Sequence, residues 1–430
     1  MEIHILPERE SWNRLLQRDA VASTHEETAR IVSGIFDDVA ANGDRAVREY
    51  EKKFTGAVRE SLRVAEDEID EAAGLITAEL KEAIEKAAAN IAAFHGAQKM
   101  QPVEVETAPG VVCSQRQVPI DTVGLYVPGG NSPLFSTILM LGVPARIAGC
   151  RRVVMATPAD ATGKVHPAIL FAARVAGVTD IYAIGGAQAV AAMSLGTESV
   201  PRVFKIFGPG NRFVMEAKQL ACYRQGTAID MPAGPSEVMV IADKTASAEF
   251  IAADFLSQAE HGPDSQSVLL TDSAEVLAAT EAEIERQLAS LPRREMMQKS
   301  LEHSRLIQLG SMKEIMEFAN AYAPEHLIIN TADAETLAGD VRSAGSVFIG
   351  PWSTESAGDY ASGTNHTLPT SGYATAYSGV NLDSFCKKIT YQRLTPEGVR
   401  SLASTVMAMA KAEGLEAHSH AMEVRKEALR

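Results

Sequence analysis

A chain of 430 residues with 46% hydrophobic and 22% charged residues is long enough for two or three globular domains. Its formal net charge of −15 repels phosphate backbones and argues against a nucleic-acid partner. The start Met1-Glu2-Ile3-His4 lacks the basic-then-apolar pattern of a secretory leader, and no apolar run is long enough to cross a membrane. Cys113, Cys150, Cys222 and Cys386 show no paired spacing, so the chain reads as cytoplasmic with reduced thiols.

The first hundred residues predict helices. Ile31, Ile35, Val39 and Val47 recur near the helical period, and Leu75 to Ala93 is rich in Ala, Glu and Lys. From Val123 onward, short apolar runs alternate with helical patterns. Val123 to Val127, Arg152 to Met155, Asp180 to Ile184 and Val203 to Ile206 read as buried strands. A second series follows Pro235: Val238 to Ile241, Val268 to Thr271, Arg305 to Leu309, Leu327 to Ile329 and Ser346 to Ile349. Two doubly wound α/β/α layers in tandem are expected, without an internal sequence repeat. A long loop rich in Ser, Gly and Thr follows Gly350. A helix starts at Thr395-Pro396, Glu413-Gly414 breaks it, and Ala417 to Leu429 forms a last helix. The predicted division is a helical region 1–105 packed on the second layer, a first α/β domain 106–235, a second 236–385 and a C-terminal arm 386–430.

A helix over Ala246 to Glu260 places Ile251, Phe255 and Gln258 on one face, and His261 continues that face before Gly262-Pro263 stops it. An amide and an imidazole three residues apart at the negative end of a helix suit a divalent cation; they suit a polar helix cap as well. Asp359 reads either as a further ligand or as the residue fixing a turn, and His418 either as a ligand or as a solvated side chain. Pro324-Glu325-His326 sits where a helix meets a strand. An imidazole beside a carboxylate there can move protons, or can simply pack on the strand end.

Three glycine-rich turns follow predicted strands: Pro128-Gly129-Gly130-Asn131, Gly185-Gly186-Ala187-Gln188 and Gly208-Pro209-Gly210-Asn211. Each leads into a helix, where backbone N–H groups can receive phosphate or simply close a tight turn. None fits GxGxxG, so the ordinary dinucleotide fingerprint is absent. A fourth turn, Asp230 through Glu237, carries Ser236, whose hydroxyl can bind a substrate.

In combination, these segments resemble the histidinol dehydrogenase family. The resemblance rests on Val123 through Gly130, Gly208 through Asn211, Asp230 through Glu237, Gln258 through His261, Ala323 through Leu327, Gly358 through His366 and Ala412 through His418. It covers nearly the whole chain. It implies an aldehyde-dehydrogenase-like fold and oxidation of L-histidinol to L-histidine through L-histidinaldehyde, with NAD as hydride acceptor. It also implies Zn²⁺ on Gln258, His261, Asp359 and His418, with Glu325 and His326 as the catalytic pair. Substrate contacts would come from Ser236, His326, His366, Glu413 and the four metal ligands, and NAD would lie against Tyr126, Gln188 and Asn211. Domain 106–235 would be the NAD side, and 236–385 would carry the metal and catalytic groups. A homodimer is implied in which the arm 386–430 crosses over to complete the partner's site. The alternative that keeps the fold is a zinc- and NAD-dependent dehydrogenase of another small polar alcohol.

Overall fold

Fourteen strands arranged in three sheets organise the computed structural model, which describes residues 1–18, 25–129 and 132–429. They are β1 (Glu2–Ile5), β2 (Val103–Ala108), β3 (Val111–Pro119), β4 (Thr122–Tyr126), β5 (Arg152–Thr157), β6 (Asp180–Ala183), β7 (Lys205–Phe207), β8 (Ala228–Ile229), β9 (Glu237–Ala242), β10 (Gln266–Thr271), β11 (Arg305–Gln308), β12 (His326–Asn330), β13 (Ser346–Ile349) and β14 (Cys386–Leu394). The first parallel sheet has the order β6-β5-β4-β7-β8. The second has β11-β10-β9-β12-β13, with β1 added in parallel beyond β11. Counted from its own first strand, each series reads 3-2-1-4-5. The layers therefore repeat a topology without repeating a sequence, because an apolar strand followed by a covering helix is satisfied by many residue choices.

Both sheets are covered on both faces, which is why their strands read as unbroken apolar runs. In β9, Val238, Val240 and Ala242 enter one core while Met239 and Ile241 enter the opposite one. The first sheet is likewise sandwiched between two cores.

The N-terminal region departs from the sequence expectation. Only its beginning joins the second layer: β1 extends that sheet, and Trp12 and Leu15 lie in its core. The helical segment His25–Phe54, kinked at Gly43, packs Val32, Ile35, Phe36, Val39 and Val47 against Val190 and its neighbours in the first layer. The helix Ala78–Gly96 places Ile84, Ala88 and Ile91 on the other face of that same layer. Periodicity identifies an apolar face but does not say which sheet receives it. Ile31 is exposed, and Val32 and Phe36 hold the buried face instead.

Two further segments differ. β2, β3 and β14 form a separate antiparallel sheet, so the arm begins as a strand paired with β3 from Cys386 opposite Pro119 to Leu394 opposite Val111. The stretch after Gly350 is not one long loop, because a short helix, Glu355–Tyr360, lies within it. The end of the chain follows expectation: helix Pro396–Ala412 is capped by the Thr395 side chain, Gly414 turns at φ +74°, and helix Glu416–Glu427 follows.

Candidate active site and metal centre

In a parallel α/β layer the helices run against the strands, so helix C-termini gather at the amino edge of the sheet. The helix Ala248–Ala259 follows β9 and ends beside the start of β10. Gln258 and His261 therefore stand at the same edge as Glu325 and His326, which open β12. Ala323 ends the preceding helix at φ +52°, a left-handed conformation that turns the chain sharply into Pro324 and the strand. The helix Glu355–Tyr360 brings Asp359 to this edge.

The side chains lie close together, and all are buried except His261, whose side chain is 42% exposed. His261 Nε2 lies 3.8 Å from Asp359 Oδ2 and 4.0 Å from Glu355 Oε1. His326 Nε2 lies 3.5 Å from Asp359 Oδ1, and its Nδ1 lies 3.7 Å from Glu355 Oε1 and 3.6 Å from Glu325 Oε2. His326 Nδ1 donates to the Glu237 carbonyl at 3.1 Å. That bond fixes a proton on Nδ1 and turns Nε2 toward Asp359 Oδ1, outside good hydrogen-bond geometry. Glu325 Oε2 accepts the Glu237 N–H at 2.8 Å, so one backbone unit positions both members of the pair.

The field here is strongly negative. Burial pushes the Glu325 carboxyl up to about 8 against the opposing pull of His326. Burial likewise drives Glu355 up to about 8. Burial pulls His326 down, but Glu355, Glu325 and Asp359 outweigh it and hold the ring well above its ordinary value. Burial raises Asp359, yet His326, His366 and His261 together leave it below the usual carboxylate range. Desolvation by the surrounding protein depresses the partly exposed His261 against the pull of Asp359.

Several of these atoms lack partners. Both ends of the Gln258 amide, both Glu355 oxygens and Asp359 Oδ1 are buried without a hydrogen bond. Such groups are costly unless something satisfies them. A divalent cation would do so, since an amide oxygen, an imidazole and carboxylates are suitable donors. Among the described residues, His261, Glu355 and Asp359 form a group with ligand atoms within 4.8 Å of one another. Glu355 was not singled out in the sequence. Its signal was available: Thr354 precedes it as an N-cap residue, and Asp359 follows at i+4, on the same helical face.

His418 is not brought to this group within one chain. It lies exposed on the helix Glu416–Glu427, and Glu413 is exposed at the end of the preceding helix. His366 is near but engaged. Its Nδ1 donates to the Asp359 carbonyl at 2.9 Å, and its Nε2 lies 3.3 Å from Thr137 Oγ1. Burial lowers its pKa. Ser236 is half-buried just before β9.

The Thr137 contact joins the two layers. Asn365 Nδ2 also donates to the Met140 carbonyl at 2.6 Å. Both partners lie in the helix Phe135–Ala148, which starts past the carboxyl end of β4. The amino edge of the second sheet thus faces the carboxyl edge of the first. In that first sheet the strand order reverses between β4 and β7, the place where open α/β sheets receive ligands. Tyr126 ends β4, and its buried hydroxyl accepts the Gly186 N–H at 3.0 Å. Gln188 is buried with its Oε1 unpartnered. Asn211 caps the helix Arg212–Gln225, accepting from Phe213 N at 3.0 Å and Val214 N at 3.2 Å. Gly208, at φ +121°, passes so close to the Tyr126 carbonyl that a Cβ would lie 2.0 Å from it. Only glycine fits there. Of the turn Pro128 to Asn131, Gly130 and Asn131 lie outside the described residues.

Known proteins match this chain from end to end. The family model for histidinol dehydrogenase matches residues 18–426. A histidinol dehydrogenase of Bacteroides fragilis is 54% identical over 430 residues, covering 100% of each chain. That of Escherichia coli is 51% identical over 422 residues, 98% of this chain and 96% of the relative. The crystal structure of histidinol dehydrogenase from Elizabethkingia anophelis superimposes with a TM-score of 0.97 at 49% identity, covering 100% of this chain and 98% of that one. No helix among the described residues is long and apolar enough to cross a membrane. With two parallel sheets meeting edge to edge, an imidazole–carboxylate cluster at the amino edge of the second and this full-length agreement, the chain belongs to the histidinol dehydrogenase family.

Proposed function

We propose that this protein oxidises L-histidinol to L-histidine through L-histidinaldehyde, with NAD and zinc, as a cytoplasmic homodimer with shared active sites. The observation that carries the reading is the pair of buried carboxylates Asp359 and Glu355 around His261, with the unpartnered Gln258 amide three residues before it and His326 Nε2 facing Asp359. On this reading 106–235 carries the cofactor, and 236–385 carries the catalytic and metal-binding groups. The arm 386–430 reaches the partner subunit.

Held by Gln258, His261, Asp359 and His418 of the partner subunit, zinc would supply a Lewis acid that orients the substrate and offsets the carboxylate field on His326. NAD⁺ bound against Tyr126, Gln188 and Asn211 would accept one hydride in each oxidation, so two molecules would be used in turn. His326 Nε2 takes the hydroxyl proton during the first oxidation. Glu325, raised to about 8 by burial, suits a group that takes and returns a proton near neutrality, and it receives one from the water that adds to the aldehyde. After its first proton passes to solvent, His326 takes the hydrate's hydroxyl proton during the second oxidation. Ser236, and Glu413 of the partner subunit, would hold the substrate's polar ends. His366 fixes the Asp359 backbone and reaches substrate by exchanging its Thr137 partner. Burial of the cluster keeps the aldehyde from escaping.

The test is NADH formation with L-histidinol before and after treatment with a chelator. Activity that falls on chelation and returns with zinc is expected. Absence of NADH with the zinc-loaded protein removes the reading.

A further inference from the structure

The helix His25–Phe54 lies outside both sheets, yet it sends one carboxylate into the cofactor side of the first layer. Glu51 is 3% exposed. Its Oε1 accepts the Gly185 N–H at 2.9 Å and the Gln188 Nε2–H at 2.7 Å. Its Oε2 has no hydrogen-bond partner. The next amide along, Gly186 N–H, donates to the Tyr126 hydroxyl at 3.0 Å. Glu51 and Tyr126 therefore hold consecutive N–H groups of one turn from opposite sides.

An amide side chain can present either end, and its neighbours decide which. The carboxylate is acceptor-only when ionised, and a single oxygen already takes both donors. Gln188 must point its NH₂ at Glu51, so its carbonyl Oε1 points away. That oxygen is buried without a partner and lies beside Gly186: a Cβ at Gly186 would sit 2.7 Å from it. Gly186 has φ +59°, so the turn depends on a residue without a Cβ. The unsatisfied acceptor calls for a donor, and a nucleotide offers donors in its ribose hydroxyls and its carboxamide.

We infer that Glu51 is a positioning residue for the dinucleotide: it locks the Gln188 amide with its oxygen toward the cofactor and ties down the Gly185–Gly186 turn. The inference rests on the placement of NAD against Tyr126 and Gln188. Burial raises the Glu51 pKa against the Gln188 and Gly185 hydrogen bonds, and with or without a proton on Oε2 the Oε1 atom accepts both donors.

The test measures KM for NAD, KM for L-histidinol and kcat in Glu51→Met, Glu51→Gln, Gln188→Ala and the Glu51→Met/Gln188→Ala double variant. Loss of the acceptor in Glu51→Met should raise the NAD KM about 3- to 15-fold, the scale of one or two hydrogen bonds, with kcat and the histidinol KM nearly unchanged. Glu51→Gln should restore the NAD KM, because its carbonyl accepts the same two donors. In the Gln188→Ala background, Glu51→Met should add little further, since both act through one side chain. An unchanged NAD KM in Glu51→Met, or effects that add in full, overturns the inference while a response of Gln188→Ala keeps the cofactor site. An unchanged NAD KM in Gln188→Ala instead removes the cofactor site and the inference with it. Should Glu51→Met fail to fold, a tenfold rise of the NAD KM in Glu51→Gln overturns the acceptor role.

Discussion

Replacing Lys218 by Met removes the cation that balances Asp230 inside the first layer. Both side chains are 1% exposed. The ammonium bonds Asp230 Oδ1 and the Gly208 carbonyl, the latter at 2.8 Å. Asp230 also accepts Gly208 N–H at 2.8 Å and Met231 N–H at 2.8 Å. Met occupies nearly the volume of Lys, so the change is almost wholly electrostatic. Breaking a buried pair from one side costs about 3–5 kcal/mol, because a charge stays behind without its partner. The two backbone donors soften that cost, while the orphaned Gly208 carbonyl adds about 1–3 kcal/mol. A loss of roughly 4 kcal/mol is expected from these opposing terms. Adding Asp230→Asn discharges the stranded carboxylate, so the double variant should be more stable than Lys218→Met alone. Urea denaturation of the parent, both single variants and the double variant gives the comparison. The NAD KM should rise in Lys218→Met as well, because the pair holds the Gly208 turn against Tyr126. A loss below about 1 kcal/mol, or a double variant no better than Lys218→Met, would refute the electrostatic account.

Three other outcomes are expected. His326→Asn should lower turnover by roughly 10²–10⁴ with zinc content retained, and full activity would remove His326 from the proton path. His261→Asn takes an imidazole from the cluster, so metal analysis of the purified variant should find zinc depleted; parent-like occupancy would contradict the assignment. Burial raises Asp254 to about 6 in spite of the Thr354 hydrogen bond. The folded state therefore binds its proton more tightly than the unfolded chain does, and stability present below the unfolded pKa is lost as pH rises through about 6. Asp254→Asn should gain roughly 1–3 kcal/mol at neutral pH and nothing in acid, as read by denaturant melts at both pH values. An equal gain at both would falsify the linkage.

Local signals carried much of the site. Pro324-Glu325-His326 at a helix-to-strand junction and Gln258 with His261 at a helix end were legible because helix and strand periods fix where such ends fall. Glu355 was missed because the stretch after Gly350 read as loop, and its pairing with Asp359 becomes visible only once that stretch is helical. No local pattern marks the Glu51 carboxylate or the Glu237 backbone for the contacts they make. Their hydrogen-bond partners, Gly185 and Gln188 for Glu51 and Glu325 and His326 for Glu237, meet them only after folding.

The sequence by itself determined the two α/β series, the absence of a dinucleotide glycine fingerprint and most of the polar residues that gather at the amino edge of the second sheet. Each of these is written in short-range patterns of apolar spacing, caps and turn residues. The tertiary structure alone decided that the N-terminal helices cover the first layer, that both layers share one strand order, and that the amino edge of one sheet faces the carboxyl edge of the other. Those arrangements come from contacts between residues far apart in the chain. An apolar face specifies that it must be buried, and many partners can meet that demand equally well.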